Sequence, residues 1–289
     1  MTHSLVHQIL VSDLVLPIAL AQTPDQQTLP RFGARLADDT YLRGDVIVAN
    51  RARVPSAGWY VDGPPLLVVE VASDASIRRD LGQKKAMWAR FGVPSLWIVE
   101  PLRRLPRIRV FELDGGKYDE RARLSQDKPY LVTRPFEMKL APAEIFEQLS
   151  RRPAGKDTAR RDTASRDTAR KNTAPKNTGA MRRTTMTEPD RAGTDLPAPE
   201  EKILIDAFGR RWPTGAEKVE LWDGCPVFYG VWDERDVEIA RRAYPGRVVR
   251  LDQEPGRPGT LCVLPADRPA ERAGETRPIN GSRIVGPAR

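Results

Sequence analysis

The sequence predicts an α/β protein: a mixed sheet flanked by helices, followed by a disordered basic linker and a small α/β unit. Three observations predict this organisation. Short β-branched runs alternate with segments of helical apolar spacing in residues 1–150, a polar five-residue repeat follows, and alternating elements resume near residue 200. We therefore expect domains at 1–150 and 200–264, a linker at 151–199 and a disordered tail at 265–289.

Residues 1–150 contain the elements of a layered α/β domain. Residues 3–21 carry apolar side chains at helical spacing, with Pro17 near the end. Asp45 opens a β-branched strand, and the almost continuously apolar run from Leu66 to Val71 is typical of a central strand buried on both faces. A polar turn and a helix follow, and the helix ends at about Phe91. Further strands are expected at 95–99, 107–113 and 130–133, a return strand near 118, and a short helix at 143–149.

Residues 200–264 show the same alternation on a smaller scale. A hairpin is predicted from Val219 to Tyr229, turning at Asp223-Gly224, because such dipeptides favour tight hairpin turns. Helices are expected at 203–208 and 233–244, and strands at 248–251 and 260–264. Cys225 and Cys262 are predicted to be reduced thiols, with a disulfide between them as the alternative.

The net charge of +8 does not mark the whole chain as a nucleic-acid-binding protein. Residues 1–150 carry 20 basic and 18 acidic side chains, whereas residues 151–185 carry 11 and 3. The second segment repeats units such as Lys156-Asp-Thr-Ala-Arg160, whose period fits neither a helix nor a strand. We predict that it is disordered, and either a plain linker or a salt-sensitive tether for phosphates.

The sequence contains no run of 18 apolar residues and no secretory signal pattern. We therefore expect a cytoplasmic protein without a membrane span.

Three residues of the first domain suggest chemistry. Asp45 opens a strand, and Glu70 is the only charged residue of the apolar run from Leu66 to Ala72. A buried carboxylate is costly unless it is paired or bound to a cation, so the two acids are candidate ligands for Mg²⁺ or Mn²⁺. Lys84, on the next helix, would orient the attacking water or offset phosphoryl charge. The alternative is structural: Glu70 pairs with Arg78, Arg79 or Lys84.

A resemblance favours the chemical interpretation. The sequence contains Leu67-Val-Val-Glu70-Val-Ala-Ser73, Arg79-Asp-Leu-Gly-Gln-Lys84 and Trp88-Ala-Arg-Phe-Gly-Val-Pro94-Ser-Leu-Trp-Ile-Val-Glu-Pro101. These segments resemble the Uma-type family of endonucleases, which belongs to the PD-(D/E)XK superfamily. Looser similarity extends from about residue 1 to residue 149. The resemblance implies a restriction-endonuclease-like fold and cleavage of phosphodiester bonds with a divalent metal.

By position, the resemblance makes Asp45 the motif aspartate, although Gly44 replaces the usual proline. Glu70 becomes the second metal carboxylate, and the lysine that the superfamily often places at Ala72 is replaced by Lys84 on the helix, as is usual in this family. The backbone carbonyl of Val71 is a further expected metal ligand. Ser73 and Asp80 also match family positions, either supporting the metal ligands or capping the helix. His3 lies where the family often has a histidine on the first helix, with a role at the helix surface or start as the alternative.

One departure from the family pattern concerns the N-terminus. Family members usually begin with a Glu-Leu-Ile-Asp-Gly-like hairpin whose glutamate can complete the site, and here Met1 falls just before the first helix. Glu220-Leu-Trp-Asp-Gly224 resembles that hairpin, which suggests that Glu220 could be supplied from the second domain.

The leading functional hypothesis is a divalent-metal-dependent endonuclease that hydrolyses DNA phosphodiester bonds. The alternative is a catalytically degenerate nuclease fold that binds nucleic acid or a partner protein. The expected partner is DNA rather than a membrane, and a homodimer is compatible with this class of protein.

Overall fold

The computed structural model describes residues 5–73, 76–100, 106–125, 128–146, 196–209, 216–254 and 258–266. The chain divides into two compact units. The N-terminal unit comprises Thr2–Ala37 and Leu42–Asp195, and the C-terminal unit comprises Asp38–Tyr41 and Leu196–Arg289, together with Met1. The repeats predicted as a linker, most of the predicted tail, and His3 lie outside the described residues.

The first part of the chain, up to residue 146, contains eleven strands and four helices among its described residues. In chain order they are α1 (Leu5–Ala21), β1 (Gln26–Pro30), β2 (Gly33–Ala37), β3 (Thr40–Arg43), β4 (Val46–Asn50), β5 (Tyr60–Asp62), β6 (Leu67–Val71), α2 (Ile77–Arg79), α3 (Lys85–Arg90), β7 (Ser95–Glu100), β8 (Arg107–Asp114), β9 (Lys117–Leu124), β10 (Tyr130–Val132), β11 (Met138–Leu140) and α4 (Pro142–Ile145).

A mixed sheet of six strands organises the N-terminal unit, in the order β1-β4-β6-β7-β8-β9. β6 and β7 are parallel, and the other neighbouring strands are antiparallel. All five residues of β6 are buried, as its apolar run predicted for a central strand. The predicted fold class, a mixed sheet flanked by helices, is confirmed.

Alternation along the strands divides this sheet into two faces. On one face the α1 residues Leu10, Leu14 and Ile18 pack against Val69 and Val71 of β6 within a single apolar core. Glu70 alternates with these two valines, so it lies on the opposite face. The helical segment from α2 to α3 packs there, and it buries Trp88 completely. The sheet therefore brings Glu70 next to a helix rather than to solvent.

The helical segment between β6 and β7 is not a regular α-helix. A π turn, Asp80–Lys84, separates α2 from α3. The sequence predicted one continuous helix to about Phe91, and it contains no signal for the wider turn. Single π turns inside helices often occur at functional sites, and here the turn ends at a candidate catalytic residue.

Strands β1, β2 and β5 were not predicted. β1 contains Gln26, Gln27 and Thr28, and pairs antiparallel with β4. β2 and β5 pair in parallel through Gly33–Tyr60, Ala34–Val61 and Arg35–Asp62. Their sequences are short and do not alternate between apolar and polar residues. These segments form strands because they pair with a neighbouring strand, not because of their intrinsic propensity.

The C-terminal unit contains helices α5 (Ile205–Phe208) and α6 (Glu234–Ala243) and strands β12 (Lys218–Trp222), β13 (Cys225–Gly230), β14 (Val248–Asp252) and β15 (Gly259–Leu264). β12 and β13 form the predicted hairpin, and Asp223 (φ 50°) and Gly224 (φ 82°) form its turn. Positive φ at both turn residues matches the right-handed twist of the two strands. Asp233 and Asp236 cap α6 reciprocally.

The short segment Asp38–Tyr41 belongs to the C-terminal unit by its contacts. Tyr41 pairs with Leu221 of β12, and Lys202 makes an ion pair with Asp39 at 2.5 Å. The N–H of Ile205 also donates to the carbonyl of Asp38 at 2.8 Å. No sequence signal indicated this assignment. The unit also begins at Leu196, so it includes residues 196–199, which we assigned to the linker.

Cys225 is buried and Cys262 is half-buried, and no disulfide joins these two described residues. Within the described segments, no helix combines the length and apolar character needed to cross a membrane.

Candidate active site

Asp45 lies directly before β4 and is hydrogen-bonded to the neighbouring strand β6. β4 and β6 are antiparallel, with Val46 opposite Val69. The N–H of Asp45 donates to the carbonyl of Val69 at 3.0 Å, and the N–H of Val71 donates to Asp45 Oδ2 at 2.8 Å. These two contacts involve Val69 and Val71, the residues directly before and after Glu70 in β6. Asp45 and Glu70 therefore lie at the same end of the sheet.

Asp45 is held by its own surroundings. The residue is only 6% exposed, and the hydrogen bond from the Val71 N–H fixes one carboxylate oxygen. His7 Nε2 of α1 lies 3.4 Å from the same oxygen. A backbone donor and an imidazole therefore reduce the cost of burying this carboxylate.

Glu70 is paired with Lys84. The Lys84 Nζ lies 2.6 Å from Glu70 Oε1, and the two residues are 2% and 3% exposed. Trp88 Nε1 donates to the same oxygen at 3.2 Å, and Lys84 Nζ also donates to the carbonyl of Arg43 at 2.9 Å. Lys84 and Trp88 are four residues apart, which places them on one side of the helical segment.

Glu70 and Lys84 are in direct contact, and Asp45 is hydrogen-bonded to the backbone of the β6 residues on either side of Glu70. The sequence predicted that Glu70 binds either a metal ion or one of three basic residues, Arg78, Arg79 and Lys84. Of these three residues, Lys84 is the one that contacts Glu70. Arg78 is exposed, whereas Arg79 lies 4.0 Å from Asp80.

Of the remaining candidates, Ser73 has a clear structural role. The Ser73 N–H donates to Ser76 Oγ at 2.8 Å, and the Ser76 N–H donates to Ser73 Oγ at 3.1 Å. These reciprocal bonds form the turn that starts the helical segment. Asp80 is buried in the first position of the π turn. The backbone N–H of Val71 donates to Asp45 Oδ2, so the backbone of β6 at Val71 lies next to Asp45.

Three contacts of the site escaped the sequence analysis. His7, Trp88 and Arg43 touch Asp45, Glu70 and Lys84 respectively. The spacing of Lys84 and Trp88 could have indicated a shared helix side. The contribution of Arg43 is a backbone carbonyl, so no residue-type signal could have found it. His7 is four residues after His3, the histidine that we considered, in the sequence.

Comparison with known proteins identifies the N-terminal part of the chain. Residues 2–143 match the family model described as "Uma2: Putative restriction endonuclease". This match confirms the family resemblance expected from the sequence. The Uma2 match includes Asp45, Glu70 and Lys84, and the described residues from 196 onward lie outside it. The family supports a nuclease function in general terms.

Among solved structures, the chain is similar to one titled a putative nuclease belonging to DUF820 from Anabaena variabilis ATCC 29413. The identity is 18% and the TM-score 0.40, with 50% of this chain and 81% of that chain covered. No curated protein matches the chain.

The donor set of the Uma2 site suits a hard divalent cation. Asp45 and Glu70 supply carboxylate oxygens, which Mg²⁺ and Mn²⁺ prefer to nitrogen or sulfur. In the part of the chain that the structure describes, no group of three or more His, Cys, Asp or Glu side chains is arranged to hold a metal. A two-carboxylate set still fits Mg²⁺, because this ion usually keeps several waters and binds through one or two carboxylates plus substrate phosphates.

Beside the site, the Uma2 sheet carries an ion-pair network rather than a basic surface. Arg109 of β8 contacts Glu100 at 3.6 Å and also pairs with Glu120, while Arg123 Nε donates to Glu120 at 2.7 Å. The hydrogen bond from Arg123, with further support from Arg109, lowers the pKa of Glu120 to about 2. These arginines are matched by acids, so they add little net positive charge near Glu70.

Proposed function

We propose that the Uma2 unit is a divalent-metal-dependent endonuclease that hydrolyses DNA phosphodiester bonds. The proposal is supported by two buried carboxylates at the same end of the sheet: Asp45 contacts the β6 backbone on either side of Glu70, and Lys84 Nζ lies 2.6 Å from Glu70. Two adjacent carboxylates and a lysine are the groups that phosphodiester hydrolysis needs in one place.

Asp45 and Glu70 would hold Mg²⁺ or Mn²⁺, with the backbone carbonyl of Val71 as a further oxygen ligand. When bound, the ion would supply Lewis acidity at the scissile phosphate.

The other residues hold these groups in place. The Val71 N–H orients Asp45, and the Trp88 N–H orients Glu70. Lys84 is fixed by two acceptors, Glu70 Oε1 and the Arg43 carbonyl. A fixed ammonium beside the reacting phosphate would orient the attacking water and offset the negative charge that grows on the phosphoryl oxygens. In the reaction, the water oxygen would bond to phosphorus and release one proton to solvent, the ester bond to one sugar oxygen would break, and the departing oxygen would take up one proton from solvent.

A second candidate function is a binding module without catalysis. The observation that favours it is the closed Glu70–Lys84 pair, whose members are 3% and 2% exposed. A buried ion pair of this kind also occurs as a purely structural feature.

Cleavage of a supercoiled plasmid tests the proposal. We expect nicking or linearisation in Mg²⁺ or Mn²⁺ and none in chelator. Asp45→Asn and Glu70→Gln should reduce the rate at least about 100-fold, the scale of a lost charge-stabilising group. Glu144→Gln is the matched control, because Glu144 is an exposed acid of the same unit that pairs with Lys139. DNA binding without cleavage in any divalent ion would support the binding module instead.

We also propose that the protein is cytoplasmic and that it can form a homodimer. Sedimentation with and without a DNA duplex measures the oligomeric state, and a monomer in both conditions would contradict the dimer.

A further inference from the structure

Arg31 lies beside the candidate site at the end of β1. Pro30 is opposite Val46 in the β1–β4 pair, and the Arg31 N–H donates to the carbonyl of Asp45 at 2.7 Å. Arg31, Asp45 and Glu70 therefore stand next to one another on three adjacent strands. Neighbouring strands are about 4.8 Å apart, so the backbone of Arg31 lies about 10 Å from that of Glu70.

The backbone of Arg31 is in a conformation that arginine disfavours. Its φ angle is 51°, in the left-handed region that glycine adopts without cost. Strained backbone of this kind persists where the surroundings hold it, and it concentrates at functional sites. Here the surroundings are the Asp45 carbonyl and Arg43, whose Nε donates to the Arg31 carbonyl at 2.9 Å. A glycine at position 31 would adopt this φ angle without strain, so the backbone conformation does not explain why an arginine is present.

The charge around Arg31 supplies that explanation. The side chain is exposed, and within the described residues the structure gives its guanidinium no ion pair. The other cations of the site are engaged, because Lys84 is buried against Glu70 and Arg43 donates to a carbonyl. Two carboxylates at the site repel a polyanion, so an exposed cation beside them would favour its approach.

We propose that Arg31 binds a backbone phosphate of the DNA strand and so positions that strand over Asp45 and Glu70. The proposal rests on the proposed function and names a contact that determines how the substrate lies. Successive phosphates of one strand advance about 3.4 Å along the duplex axis, so the contact falls within about three nucleotides of the phosphate attacked. The planar guanidinium matches two phosphate oxygens and reads no base, so the contact is independent of sequence.

The test measures duplex binding in chelator, where cleavage does not interfere. Wild type, Arg31→Gly, Arg31→Asn and Arg31→Lys are titrated with two 30-base-pair duplexes of unrelated sequence over a series of salt concentrations. Losing one phosphate contact should reduce the slope of log K against log salt by about 0.9. We expect this reduction for the glycine and asparagine variants with both duplexes, and a retained slope for the lysine variant.

Arg134→Ala is the matched control. Arg134 is an exposed arginine of the same unit, and its carbonyl accepts a hydrogen bond from Ser95 Oγ at the start of β7. Ser95 is level with Leu67, three residues before Glu70 in β6, so Arg134 lies at the other end of these strands. We expect its removal to leave the slope unchanged.

The outcomes separate the two proposals. A wild-type slope in both neutral Arg31 variants, in a protein that binds and cleaves DNA, overturns the phosphate contact and leaves the nuclease. An equal reduction in Arg134→Ala also overturns it, since any surface charge would then have the same effect. An Arg31-dependent slope in a protein that cleaves nothing overturns the nuclease and supports the contact. No DNA binding by the wild type overturns the contact, and the plasmid assay then decides the nuclease separately.

Discussion

Each unit buries a glutamate in a β-strand, and the two glutamates are stabilised in different ways. Glu70, in β6, contacts the ammonium of Lys84 at 2.6 Å and the Trp88 N–H at 3.2 Å. Glu220, in β12, is fully buried, and it accepts hydrogen bonds from the Tyr229 hydroxyl at 2.6 Å and the Trp222 N–H at 2.9 Å. Lys218 is more distant, at 3.6 Å.

The difference concerns what each carboxylate can do. Two neutral donors hydrogen-bond to Glu220 at close range. The residue opposite Glu220 on β13 is Val227, so no second acid lies there. Glu70 instead contacts a close cation, and Asp45 is hydrogen-bonded to the β6 backbone on either side of it, an arrangement that is compatible with the proposed metal site. Burial of an acid in a strand, which both residues have, is therefore a weaker indicator of function than the kind of partner beside it.

The largest expected effect distinguishes the two lysines. Lys84→Met leaves Glu70 buried without its close cation, and breaking a buried pair in this way costs about 3–5 kcal/mol. Lys218→Met should cost about 1 kcal/mol, because two hydrogen bonds to Glu220 remain. Urea unfolding of both variants measures the difference. Equal losses would show that Glu220 also depends on its lysine and would remove the contrast.

Two glycines provide the next contrast. A Cβ at Gly224, where φ is 82°, would lie 2.6 Å from Lys202 Cβ and 3.0 Å from its Cα. Gly224→Ala should therefore lose about 2–4 kcal/mol through backbone strain and overpacking together. A Cβ at Gly44 would lie 2.7 Å from the side-chain atom Ile47 Cγ2, with no unusual φ.

Gly44→Ala should then cost less, about 1–2 kcal/mol, because a side chain can shift more readily than backbone. The same crowding gives a physical reason why Gly44 replaces the proline usual in the family. Thermal unfolding of the two alanine variants tests whether Gly224→Ala loses more stability than Gly44→Ala. A larger loss at Gly44 would show that the backbone before β4 adjusts less readily than the β12–β13 turn.

Removal of one neutral donor from each glutamate should have a smaller effect. Tyr229→Phe deletes the 2.6 Å hydrogen bond to Glu220, and Trp88→Phe deletes the 3.2 Å bond to Glu70. Hydrogen bonds to charged groups contribute about 1.5–3 kcal/mol, and the shorter bond should be at the upper end. Plasmid cleavage supplies the functional readout. Trp88→Phe should slow it by loosening Glu70, whereas Tyr229→Phe should leave the rate unchanged at temperatures where both variants are folded.

The sequence predicted the elements whose signals are local. β6 was recognisable from an uninterrupted apolar run, and the β12–β13 hairpin from Asp223-Gly224, because each pattern determines its own backbone. Asp45, Glu70 and Lys84 were recognisable because charge in an apolar strand is costly and because a 35-residue stretch resembles a family. The elements that depend on distant partners gave no signal, among them β1, the π turn at Asp80–Lys84 and the contact between His7 and Asp45.

The smallest expected effect concerns exposed charges. In the N-terminal unit the Arg123 and Arg109 guanidinium groups hold the pKa of Glu120 at about 2, below the value of about 4.3 for an unperturbed glutamate. A lowered pKa in the folded state means that this contribution to stability is present above about pH 4.3 and is lost as the pH falls toward 2. Glu120 is partly solvent-exposed, so screening keeps the contribution small. Glu120→Gln should therefore flatten the stability profile between pH 4.5 and 2, as measured by urea midpoints.

The control is Glu238→Gln, which removes the exposed pair with Arg241 in the C-terminal unit and should change the midpoint little. A steeper acid loss in Glu120→Gln than in wild type would mean that the ion pairs of Glu120 with Arg109 and Arg123 do not stabilise the sheet.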